Sequence, residues 1–381
     1  MAVALTGARV FDGERIIDGH AVIVEGDRIA ALTRDRAFVS AVPARRIEGI
    51  LAPGFIDVQV NGGGGALFND APTVDCIRTI GLAHRRFGTT GFLPTLITDT
   101  RQKMAAAVAA VLEAMAGGVP GVLGLHFEGP FLNPERRGVH DAALIRSPEE
   151  ADLALMTGLE AGRTVVTLAP ERVPPAVVAR LAGAGVLVCA GHTAADHAMV
   201  RAALAAGLAG FTHLFNAMPP LAARAPGPVG AALEDGTSFI GLIADLVHVA
   251  APVLRVAIAA KGHGRVMLVT DAMPTVGSAA DRFTLQGQEV TRRDGRLTTA
   301  DGTLAGSDLD MATAVRNLVQ RVGVPLEQAL AMASRVPASF LRLDGELGRI
   351  APGWRANLVR LDDSLAVRET WIDGVSDIET R

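Results

Sequence analysis

The sequence has no tyrosine, 2 cysteines, and aromatic residues at only 4%. Stacking platforms for single-stranded nucleic acid require aromatic side chains, so that mode of binding is not expected. Cys76 and Cys189 lie far apart and form no CxxC pair. That excludes a disulfide framework and fits core thiols in a reducing compartment. An excess of one charge sign is also missing. A net charge of −4 and a pI near 6.2 give no drive toward nucleic acid or an anionic membrane. No apolar run is long enough to span a bilayer, because the longest, 105–125, is broken by Glu113 and Pro120. The opening MAVALTGARVFDGERI turns charged within a few residues, unlike a secretory leader. A cytoplasmic protein with no nucleic-acid or membrane partner is the expectation.

What is present is a chain of 381 residues, 49% hydrophobic, able to bury a sizeable core. Residues 1–50 and 346–381 each carry short alternating pieces separated by Gly-Asp and Asp-Gly turns, too few on either side for a stable sheet. One small β-sandwich domain built from both termini accounts for them, with 51–345 inserted. Within the insertion, apolar runs at 54–60, 91–95, 122–128, 164–169, 186–192, 210–213, 239–245 and 266–271 alternate with helical apolar spacing at 101–116, 194–206 and 251–260. Eight such repeats predict a TIM (β/α)8 barrel, typically ~250 residues. An open doubly wound sheet is the alternative, but no GxGxxG turn follows the first strand. The glycine run 62–65 lacks a P-loop ending. Residues 283–299 read as an inserted hairpin, followed by a helix over 307–322.

Barrel active sites sit at the C-terminal strand ends. Those ends carry Asp57, Gln59 and Asn61, then His126 and Glu128, His192, His213, Asp245 with His248, and Asp271. Singly, each is an ordinary hydrogen-bonded loop residue. Together, one Glu and two His on nearby strands suit zinc or another divalent ion with a position open to water. Asp271 beside such an ion is a candidate general base, or else a fourth ligand or a loop cap. His126 shares a face with Glu128 and is expected beside the ligands. His20, His84, His197 and His263 are given no role. Arg224, in the Pro-rich loop PPLAARAPGPVG, suits a phosphate as well as it suits plain solvent.

The pieces APGFIDVQVNGGGG, LHFEGPFLNPERRGVHD, AGHTAA, FTHLFNAM, DLVHV, LVTDAM and LAGSDLDM run in order along nearly the whole chain. In these the chain resembles the amidohydrolase superfamily, and within it the N-acetylglucosamine-6-phosphate deacetylases. The resemblance implies release of acetate from a phosphorylated amino sugar. It implies one divalent ion (zinc first; iron, cobalt or manganese as alternatives) held by Glu128, His192 and His213. Asp271 then corresponds to the acid/base and His140 to the residue that polarises the acetamide carbonyl. Val139, Asn216, Ala217, Arg224, His248, Leu304, Ala305 and Gly306 correspond to substrate contacts. Many amidohydrolases carry His-x-His after the first strand; here Gln59 and Asn61 stand there, which points to the one-metal branch. The family implies a homodimer or higher homo-oligomer, so Arg224 could serve a neighbouring subunit. An N-acetylgalactosamine 6-phosphate substrate, another N-acyl or cyclic amide, and a catalytically silent homologue are the competing readings.

Overall fold

The computed structural model describes residues 2–378. Eight parallel strands form one sheet in sequential order: β1 (Phe55–Val60), β2 (Thr89–Ile97), β3 (Gly124–Glu128), β4 (Arg163–Leu168), β5 (Leu187–Ala190), β6 (Gly210–Phe211), β7 (Phe239–Ile243) and β8 (Val266–Val269). They are buried along nearly their whole length, as parallel strands covered on both faces must be. The helices α1 (Val74–Arg85), α2 (Arg101–Ala116), α3 (Glu150–Thr157), α4 (Pro175–Gly183), α5 (His197–Ala205), α6 (Gly227–Glu234), α7 (Ala251–Lys261) and α8 (Met311–Asn317) follow the strands one for one. The expected TIM barrel is therefore the fold.

The seam between β1 and β8 closes past the strand ends, at the mouth. There Asp271 N donates to Gln59 O at 3.0 Å, and Asn61 N donates to Ala272 O at 3.0 Å. Beneath it the buried Asp57 carboxylate accepts from the Thr270 hydroxyl at 2.5 Å. The seam thus joins the two strands whose ends carry Gln59, Asn61 and Asp271.

Strands from both ends of the chain share a six-stranded sheet. Its middle is Leu358–Leu361 beside Ile50–Pro53, which pairs in turn with Arg9–Phe11. A four-stranded sheet of 2–46 packs on it over Leu5, Val10, Val22, Ile29, Leu51, Leu358 and Trp371. The fully buried Glu369 carboxylate is held by Arg45 through two bonds of 2.6 Å.

Two expectations need correction. The insert after β8 is a three-stranded meander, Arg282–Leu285, Gln288–Arg293 and Arg296–Thr298, not a single hairpin. Both turns, Gln286-Gly287 and Asp294-Gly295, take positive φ at both residues, the geometry that matches strand twist in two-residue loops. The following helix begins at Met311, not 307, because Ser307 pairs in β fashion with Ala272 and Asp310 caps the helix through Thr313 N at 2.8 Å. Beyond Asn317 it widens into a π turn, Leu318–Val322.

Candidate metal centre and substrate pocket

The end of β3 delivers Glu128. Gly129 follows at φ 94°, where a Cβ would meet the Thr98 hydroxyl at 2.2 Å, so only glycine lets β2 and β3 end this close together. His192, His213 and Asp271 each stand two residues past the end of their strand, and each has positive φ: 48°, 29° and 54°. This left-handed step turns the side chain inward over the barrel axis. It costs of order 1–3 kcal/mol per non-glycine residue and persists only where the surroundings over-determine it.

Three donor atoms meet at the mouth. His213 Nε2 lies 2.9 Å and His192 Nε2 3.1 Å from Glu128 Oε1, and the two imidazole nitrogens are 3.1 Å apart. All three residues are buried. The donors of His140 also lie within 4.8 Å of those of Glu128 and His192, so His140 competes for the third place. Hydrogen bonding decides between them. His140 Nδ1 accepts from Thr98 N at 3.3 Å and pairs with the Thr98 hydroxyl at 2.8 Å, which leaves the proton on Nε2. His192 does the reverse: Nδ1 donates to Arg136 O at 2.8 Å, which frees the Nε2 lone pair. His140 is thus a donor toward the cavity, while His192 presents an unprotonated Nε2 beside His213 Nε2 and Glu128 Oε1. Two imidazole nitrogens set against one carboxylate oxygen in a buried pocket fit a shared cation of the kind His/carboxylate sites hold.

Burial alone would raise the Glu128 carboxyl. Its bonds with His192 and His213 outweigh that and hold it well below its ordinary range. Burial lowers His140 to about 3, so it stays neutral. Burial and the Glu128 charge raise Asp271 to about 6. Asp271 Oδ1 accepts from Asn61 Nδ2 at 2.7 Å and Gln59 Nε2 at 3.1 Å, and the latter also reaches Glu128 Oε1 at 3.2 Å. The two amides at the end of β1 thus act as donors that hold both carboxylates.

A cavity of about 350 Å³ opens above these groups. Val139, His140, Asn216, Ala217, His248, Leu304 and Gly306 line it together with the three proposed ligands and Asp271. Asp245 accepts from His248 Nδ1 at 2.6 Å, which turns the Nε2 edge of that ring away from Asp245. Two predicted contacts lie elsewhere. Ala305 is fully buried against Met273 and Leu297 in the packing of the meander. Arg224 is exposed on its loop and does not line the cavity. His126 is turned beneath the mouth, bonded to the Thr167 hydroxyl at 2.8 Å. His84 is buried with Nε2 on Gly62 O at 2.9 Å. Sequence reasoning gave no role to Ile97, Arg136, Met273 and Thr303, which line the cavity, nor to Thr98. Only Arg136 had a local signal, as half of a basic pair before His140.

A parallel eight-stranded barrel with a carboxylate and two histidines at its mouth is the arrangement suited to a metal-dependent hydrolase. The chain belongs to the amidohydrolase family, which it matches over residues 50–376, and residues 3–51 match the NagA composite domain. It is 42% identical over 371 residues to N-acetylgalactosamine-6-phosphate deacetylase of Shewanella sp. (strain ANA-3), covering 97% of this chain and 94% of that one. It is 40% identical over 380 residues to N-acetylglucosamine-6-phosphate deacetylase of Bos taurus, covering 95% and 89%. The crystal structure of N-acetylglucosamine-6-phosphate deacetylase from Pasteurella multocida superposes with a TM-score of 0.94 at 33% identity, covering 99% of this chain and all of that one.

Proposed function

We propose that this chain hydrolyses the acetamide of N-acetyl-D-glucosamine 6-phosphate to acetate and D-glucosamine 6-phosphate. The observation that carries the reading is the meeting of Glu128, His192 and His213 within 3.1 Å of one another, beside Asp271 and below the cavity. These three residues would hold one divalent ion, zinc first, with iron, cobalt or manganese also suited to the donors. Such an ion supplies Lewis-acid activation of water and of the acetyl carbonyl.

The chain's own residues do the rest. Asp271, fixed through Oδ1 by Asn61 and Gln59, accepts the proton of the attacking water and returns it to the amine, otherwise too poor a leaving group. His140 is held by Thr98 with its Nε2–H free to donate, and it stabilises charge on the carbonyl oxygen. His248, Asn216, Ala217, Val139, Leu304 and Gly306 surround the sugar. Arg224, outside the cavity, reads as a phosphate contact offered to the neighbouring subunit of a homodimer. The exposed Leu221 and Val253, which line one shallow cavity beside that loop, suit such a contact. A cytoplasmic location goes with this reading, and the free buried Cys76 and Cys189 fit a reducing compartment.

The galactosamine epimer is a second reading, favoured by the name of the 42% identical Shewanella relative. Acetate release from both 6-phosphates, with the metal-stripped chain titrated with zinc, separates the two. Asp271→Asn should lose about 10²–10⁴-fold in turnover while still taking up zinc. Near-wild-type turnover in that variant refutes the assignment. Arg224→Ala should raise the Michaelis constant more than it lowers turnover.

A further inference from the structure

The end of β4 contributes no side chain to the cavity. Yet the single 3-10 turn after it, Pro170–Arg172, carries a carboxylate that is bonded from both sides. Glu171 Oε1 accepts from Asn133 Nδ2 at 2.9 Å and from Ala194 N at 2.6 Å, and Oε2 accepts from the Thr193 hydroxyl at 2.5 Å. Asn133 belongs to the loop after β3. Thr193 and Ala194 directly follow His192 after β5. Among the described residues no cationic side chain pairs with Glu171, so these three donors are what hold the carboxylate in place.

Both connections lead to His192. Asn133 N donates to His192 O at 3.0 Å, and Asn133 Oδ1 caps the turn Pro134–Arg136 through Glu135 N at 2.8 Å. The last residue of that turn, Arg136, offers the carbonyl that accepts from His192 Nδ1. Glu171 therefore anchors the backbone just after His192 and also the turn that orients its ring. A histidine at φ 48° needs such over-determination, since the left-handed conformation is unfavourable by itself.

The geometry points to Glu171 as a positioning residue for His192: from the strand end that touches nothing in the cavity, it holds His192 in ligating position. The inference rests on the metal reading above. Outer partners that orient a ligand typically change metal affinity 10–100-fold when removed.

The test is the zinc dissociation constant of the full, metal-stripped chain, measured by competition with a chromophoric chelator. It is paired with the visible spectrum of the cobalt(II)-loaded protein and thermal melting of the stripped form. Glu171→Ala should bind zinc about 10–100-fold more weakly and alter the cobalt bands. Glu171→Gln keeps an oxygen for Asn133 and Ala194 and should recover most of the affinity. If Glu171→Ala fails to fold, Thr193→Val removes the Oε2 donor, together with the bond that the same hydroxyl accepts from Ala195 N at 2.9 Å, and should weaken zinc binding in the same direction. Wild-type affinity and cobalt spectrum in a folded Glu171→Ala overturn the assignment, even if melting falls. A wild-type chain that takes up neither zinc nor cobalt strikes the metal reading itself, and that outcome is seen before any substitution is made.

Discussion

Asp57 allows a measurement that needs neither metal nor substrate. Its carboxylate is fully buried under the barrel seam, accepting from the Thr270 hydroxyl at 2.5 Å, from Gln59 N at 3.2 Å and from Thr270 N at 3.3 Å. Burial outweighs these bonds and raises it from 3.8 to about 7. The sign follows from linkage. Below about pH 4 both folded and unfolded chains carry the proton, and the fold loses nothing. As pH rises toward 7 the unfolded chain gives up its proton first, so stability falls until the folded group ionises as well. At about 1.4 kcal/mol per pH unit, the gap from 3.8 to about 7 amounts to roughly 4 kcal/mol at pH 8. Asp57→Asn removes the titration with little change of shape. The Thr270 hydroxyl can redirect its proton to Gln59 O, 3.4 Å away, and accept from the new amide. Urea unfolding of both proteins from pH 5 to 8 should give a stability difference that moves by about 3 kcal/mol in favour of Asn as pH rises. Titrations of groups that do not feel the Asp57 charge cancel in that difference. A difference that stays flat with pH refutes the reasoning.

Asp152, fully buried, accepts two bonds of 2.9 Å from Arg101 and bonds of 3.1 and 2.9 Å from Arg146. Asp152→Ala leaves Arg146 without a carboxylate while Arg101 keeps Glu149 at 2.8 Å, and should cost about 1–3 kcal/mol in denaturant unfolding. Gln286, at the tip of the meander, accepts from Asp141 N and donates to Thr98 O, both at 2.6 Å, and so braces the loop that carries His140. At about 1 kcal/mol per bond, Gln286→Ala should lower kcat/KM for the 6-phosphorylated sugar by up to about thirtyfold. Asp271 sits at φ 54°, so Asp271→Gly should be about 1 kcal/mol more stable than Asp271→Ala in thermal or urea unfolding, the reverse of the usual penalty for glycine. Equal or greater stability of the alanine variant would mean that the backbone there is not strained.

The strand pattern was legible because each barrel strand is a short apolar run stopped by polar or turn residues, a signal carried by neighbours in sequence. All eight predicted runs coincide with observed strands, and the residues where they stop, Glu128, His192, His213 and Asp271, come together at the mouth. The absence of His-x-His after β1 was also readable, but not what replaces it. Gln59 and Asn61 donate to Asp271 across more than 200 residues, a partnership with no local period. The same holds for Glu171 with Asn133 and Ala194, and for Gln286 with Thr98. Arg224 shows the opposite limit: its residue type suits a phosphate, but its loop carries it outside the cavity.

Periodicity fixes where a strand stops; it does not reveal the left-handed step two residues later that turns His192, His213 and Asp271 inward. No β-branched residue stands at those three positions, where its stiff side chain would make positive φ a genuine outlier. The strain at these positions is sustained by the surrounding parallel sheet, whose ladder bonds Asp271 N to Gln59 O and Thr212 N to Ala190 O clamp the chain on either side of the turn. The site's chemistry is thus written in residue types, and its geometry in contacts between strands that only the closed barrel brings together.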